Sequence, residues 1–85
     1  MDWDKHTEEK FNQLIEKVPV FLRALAKEKV LQKAQSLAKK ENQTQVNEKN
    51  LVDAFFEETP FGFHGPMKTD MQEIGIDYTQ YGYEK

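Results

Sequence analysis

Lys17-Val18-Pro19-Val20-Phe21-Leu22-Arg23 divides an 85-residue chain into two amphipathic segments. Pro19 has no amide hydrogen and disfavours helical geometry at the residue before it, so an upstream helix is expected to stop near Glu16 or Lys17. The same ring suits the first turn of a new helix. Upstream, Phe11, Leu14, Ile15 and Val18 recur at the three, four and seven spacing of one helical face. Asp4 is expected to cap this first helix, and Trp3 to fold back on its apolar face as a hydrophobic staple. Downstream, a second and longer helix is predicted from about Pro19 to Lys40. Phe21, Ala24, Leu25, Leu31, Ala34, Leu37 and Ala38 supply its buried side, and Lys27, Lys29, Lys33 and Lys39 its wet side.

Beyond Lys40 the pattern shortens. Asn42 suits a left-handed helix stop. Thr44-Gln45-Val46 is too short for an independent strand and reads as an extended connector with Val46 in the core. Asn47 then caps a third helix over Glu48 to Glu57, buried through Leu51, Val52, Ala54, Phe55 and Phe56 and ended by Thr59-Pro60. These elements predict an all-α, compact three-helix domain over residues 1–59, closing around Trp3, Phe21 and Phe55. Residues 60–85 differ in kind, holding five of the ten aromatics and all four glycines. They read as an aromatic, acidic tail, partly packed or flexible. A short helix is expected from Gly65-Pro66 to about Glu73, with Met67, Met71 and Ile74 on one side and Gly75 as its stop. Past Asp77 the chain is expected to be poorly ordered unless its tyrosines dock.

Composition narrows the function classes. Without cysteine there is no disulfide, thiolate metal site or thiol nucleophile. No apolar run approaches the ~18 residues that span a bilayer. The acidic start, Met1-Asp2-Trp3-Asp4, is unlike a signal peptide, and a cytoplasmic setting is expected. The net charge of −3 is uneven: residues 1–56 carry ten basic and nine acidic side chains, residues 57–85 two and six. Acids interrupt the lysines throughout, which argues against a nucleic-acid face.

Trp3, Val18-Pro19, Phe21 and Arg23, with Glu28, Val30, Ala34, Val46, Leu51 and Ala54, follow a spacing that resembles one known family. It is the PCP_red-type domain, the small helical domain ending the B subunit of light-independent (dark-operative) protochlorophyllide reductase. The likeness runs from Trp3 to Phe56. Val20 stands where that family often has a second aromatic, and residues 57–85 have no counterpart. The resemblance implies a three-helix fold at the edge of a tetrapyrrole site or against a partner subunit. It carries over no catalytic, cofactor or metal residue.

Local chemistry points the same way. His6 reads as a surface histidine. His64 lies in an aromatic turn; as a lone imidazole it is a weak axial ligand for a chlorin, and a turn role fits it better. Glu57-Glu58 point about 100° apart on a helix and cannot share a site. Ser36, the single serine, has no triad partner nearby in sequence, and Gly62-x-x-Gly65 follows no strand. Arg23, the single arginine, is expected either to bridge or cap the first two helices, or to meet a carboxylate on a partner or tetrapyrrole. The tail residues Phe61, Phe63, His64, Met67, Met71, Tyr78 and Tyr81 join it as partner-binding candidates, unless the apolar ones among them cover the groove between the first and third helices. The expected function is a non-catalytic binding or assembly module of a protochlorophyllide reductase-like or other tetrapyrrole complex, with a protein partner and no nucleic acid. The alternatives are a small tetrapyrrole carrier and a histone-like or helix-turn-helix nucleic-acid binder.

Overall fold

Two of the four helices start where a side chain supplies a missing hydrogen bond. A computed structural model describes residues 1–85 as β1 (Asp2–Trp3), α1 (Lys5–Glu16), α2 (Val20–Lys40), β2 (Gln45–Val46), α3 (Glu48–Glu58) and α4 (His64–Glu73), with single 3-10 turns at Phe61–Phe63 and Tyr78–Tyr81. Asp4 caps α1, its carboxylate accepting from the Thr7 amide at 3.1 Å and the Thr7 hydroxyl at 2.9 Å. These bonds, the hydroxyl's first, hold the Asp4 carboxyl below its ordinary range. Pro19 sits one position ahead of α2 rather than in its first turn. Asn42, at φ 57°, follows the end of α2, and Gly75, at φ 84°, follows α4. Asn47 and Asn50 form a reciprocal capping box at the start of α3.

The all-α architecture is as expected, with one small addition. Gln45–Val46 is a strand after all, pairing in parallel with Asp2–Trp3. The Asp4 amide also donates to the Val46 carbonyl at 2.9 Å, so the chain's start is tied to the loop between α2 and α3. Val46 is fully buried, and Trp3 stacks on Phe11 with ring centroids 4.9 Å apart. The pairing escapes a sequence reading because two residues carry no alternation to detect.

The tail is not a separate unit. Met67, Met71, Ile76 and Tyr78 are buried in the same core as Phe11, Leu14, Ile15, Val30, Ala34, Leu51 and Phe55, so residues 1–59 and 60–85 share one hydrophobic interior. Beyond Asp77 the tyrosines dock. Tyr83 lies flat on Phe56, with centroids 3.8 Å apart and ring planes within 4°. Its hydroxyl donates to Asp53, and that of Tyr81 donates to Glu48. Lys17 reaches Glu73 at 2.6 Å, joining the end of α1 to α4.

Phe21 is the main correction to the expected core. It is 85% exposed, and Leu22 and Leu25 also face water. Only Val30, Ala34 and Ala38 of α2 are buried, all from its midpoint onward. The cause is a mismatch of lengths. At about 1.5 Å per residue, α2 runs roughly 32 Å and α3 roughly 16 Å. The short β2 connector starts α3 beside the end of α2, so the first half of α2 overhangs its partner.

Two expectations follow for the docked tail. A chain ending at Thr59 should lose its cooperative thermal transition and near-ultraviolet circular dichroism; an unchanged melt would mean the tail is dispensable to the core. The second concerns alkali. Burial, then donation to Glu48 and Asp53 respectively, raises the Tyr81 and Tyr83 phenols well above their ordinary value of 10.0. They stay neutral in the folded chain while the unfolded chain ionises. Their contribution is therefore complete below about pH 10 and is lost as pH climbs towards the folded values. Tyrosinate absorbance should rise late and together with unfolding; a non-cooperative rise near pH 10 with helicity intact would contradict the docking.

Candidate functional site

The overhang carries four of the chain's seven exposed large apolar side chains, Val20, Phe21, Leu22 and Leu25. Phe21 and Leu25 are four residues apart, as are Leu22 and Ala26, so they form one stripe along α2. Opposite this stripe, Thr59-Pro60 ends α3 and turns the chain back through Phe61–Phe63. The result is a groove of about 480 Å³. Val18, Pro19, Leu22, Leu25, Ala26 and Lys29 form one wall, and Glu58, Thr59, Pro60 and Phe63 the other, with the buried Val30 and Phe55 between them. Phe63 is 65% exposed and Phe61 86%. Lys29 and Glu58 are the groove's only charged residues. Neither enters the chain's ion pairs, which join Lys10 to Glu48, Lys17 to Glu73, Lys33 to Glu57 and Lys49 to Asp53.

Of the residues singled out from sequence, only Phe61 and Phe63 stand on this surface. Met67, Met71 and Tyr78 are buried and unavailable to a partner. Tyr81 is half-buried, its hydroxyl engaged by Glu48. Arg23 is a helix cap. Its Nε donates to the carbonyls of Ile15 at 3.1 Å and Val18 at 3.2 Å, and its Nη2 to those of Glu16 at 2.8 Å and Val18 at 3.0 Å. The planar fork meets the Glu16 and Val18 carbonyls at the end of α1 together with that of Ile15, which also accepts from the Val18 amide at 3.0 Å.

His64 does the same for α3. Its Nε2 lies 3.1 Å from the Phe56 carbonyl and 2.9 Å from that of Thr59. Carbonyls only accept, so Nε2 carries the proton and donates. The ring also meets Phe56 edge-on at 5.1 Å. A nitrogen committed in this way is not a ligand for a chlorin metal. His6 is exposed on α1, as expected. No group of three or more His, Asp or Glu side chains converges as a metal site would require.

Leu22, Leu25, Ala26 and Lys29 were not identified as site residues from sequence. The signal was present in Val20-Phe21-Leu22-Arg23-Ala24-Leu25-Ala26, where six of seven residues are apolar. One helix stripe cannot use that many, and a helix apolar on all sides is normally covered on all sides.

A family model described as "Protein of unknown function (DUF2621)" matches residues 1–84. The chain belongs to that family. The match runs through residues 59 and 60, so the DUF2621 unit includes the docked tail as well as the three-helix body. No match was found among curated proteins or among solved structures. No helix of the chain is long and apolar enough to cross a membrane.

The cap assignment of Arg23 is open to a direct check. Arg23→Ala should cost about 1–3 kcal/mol in urea unfolding, because carbonyls at the end of α1 lose charged donors. Arg23→Lys should recover only part of that, since an ammonium cannot span three carbonyls in one plane. A wild-type midpoint in Arg23→Ala would return the guanidinium to the list of partner contacts.

Proposed function

We propose that this chain is a non-catalytic binding and assembly module that docks on protein through the α2 overhang and the adjoining groove. One observation carries the reading: the large apolar side chains left in water gather around a single preformed groove, while no buried polar side-chain atom elsewhere lacks a partner. Patches beyond about 300–600 Å² are uncommon on monomers and mark interaction surfaces. The groove's lining is mostly apolar with one cation and one anion at its walls, a chemistry that suits recognition. The resemblance of residues 3–56 to the reductase domain supports a place in a protochlorophyllide reductase-like or other tetrapyrrole complex. The class of surface rests on the groove, and that setting on the resemblance.

A second reading has one observation in its favour. A volume of about 480 Å³ falls within the range of about 300–1,000 Å³ used by small-ligand pockets, so a tetrapyrrole carrier fits by size.

A photoreactive side chain placed at Leu25 or Phe63 in the native host distinguishes these readings. Discrete protein adducts are expected from both positions, and none from a control at the exposed Gln72, outside the groove. Equal adducts from the control, or none anywhere, would remove the docking reading. Titrating protochlorophyllide into purified protein should leave the Soret band unmoved at tens of micromolar. A shift abolished by Leu25→Glu would favour the carrier instead.

A further inference from the structure

The groove has a shape and a charge pattern that one kind of partner satisfies twice. Val20, Phe21 and Leu25 project from a helix that also forms a wall of the groove, so each molecule carries both a ridge and a slot. Val20, Phe21, Leu22, Leu25, Phe61 and Phe63 together leave roughly 700 Å² in water, taking about 150–200 Å² for a whole large apolar side chain. A stable protein–protein interface buries about 800 Å² per partner. The groove's two charges are opposite in sign, lie on opposite walls and are both unpaired.

We propose that the occupant of this groove is a second copy of the same chain, related by a two-fold axis. This rests on the docking reading above and names its partner. In a two-fold contact, a residue that meets another across the interface is met by it in return. The overhanging half of α2 from one copy lies in the groove of the other, so Lys29 of each copy faces Glu58 of its mate. One interface then contains two equivalent ion pairs at the rim and a shared apolar centre of Phe21, Leu22, Leu25 and Phe63. It also explains why the start of α2 is apolar on nearly every side. In the pair, the exposed half of that helix gains the cover that α3 is too short to provide.

Sedimentation equilibrium of the full chain over a micromolar to submillimolar concentration series tests the assignment. The expected mass is that of two chains. Leu25→Glu should give a monomer with unchanged far-ultraviolet circular dichroism, because the side chain is 57% exposed and outside the core. Lys29→Glu and Glu58→Lys should each weaken the dimer about tenfold, or about 1.4 kcal/mol. The double variant Lys29→Glu/Glu58→Lys should return to within a few-fold of wild type, since both pairs are restored with reversed polarity. A chain that stays monomeric at submillimolar concentration overturns the proposal. So does a dimer whose affinity ignores the single charge reversals. Adducts to a different protein from the photoreactive Leu25 position, with the purified chain monomeric, would sink the self-pairing and leave the docking reading in place. No adduct of any kind would remove both.

Discussion

At the joint between α1 and α2 the helical hydrogen-bond ladder is interrupted by Pro19, and a single guanidinium gathers three of the carbonyls there. Arg23 donates to Ile15, Glu16 and Val18 from one planar group, so the end of α1 and the first turns of α2 are held as a rigid corner. That corner sets the exit direction of α2. It also turns the Arg23 side of the helix towards α1, which leaves Leu25, about 160° round the helix, facing away from that contact.

The rest of the structure resolves the consequences of that corner in a chain with little apolar material to spare. Ala34 and Ala38 have no exposed surface, and their small size lets α3 approach α2 closely along its second half. The two buried polar residues, Thr7 and Asn50, both belong to caps. Thr7 is bonded to Asp4, and Asn50 to Asn47 and Gln43, so neither adds an unsatisfied group. The C-terminal segment closes the opposite side through Met67, Met71, Ile76 and Tyr78, and the stacking of Tyr83 on Phe56 fixes the last residues. The exposed ion pairs add little stability of their own, since such pairs are worth at most about 1 kcal/mol. Two of them join α1 to α3 and to α4, and a third joins α2 to α3.

Helix positions were largely legible in the sequence, because the signals for them are local. Asp4, Asn42, Asn47, Thr59-Pro60 and Gly75 act on backbone groups within a few residues, and each does its expected work in the structure; Pro19 ends α1 as expected but stands ahead of α2 rather than in its first turn. Phe11, Leu14 and Ile15 likewise face the core as their spacing implies. The candidate site was legible only in part. Of the two arrangements expected for the tail, Phe61 and Phe63 take the exposed one, Met67, Met71 and Tyr78 the buried one, and Arg23 and His64 serve as caps rather than partner contacts. A periodic apolar pattern shows that a side chain prefers burial. It does not show whether another element is long enough to bury it.

The sequence by itself determined where this chain becomes helical and where each helix ends, since capping, proline geometry and left-handed stops depend on neighbours in the chain. Tertiary structure alone decided which apolar residues are covered. The length of α3, the two-residue clasp between β1 and β2 and the docking of the tail are contacts between distant segments. They place Val30, Ala34 and Ala38 inside while Phe21, Leu22 and Leu25, on the same helix, remain in water.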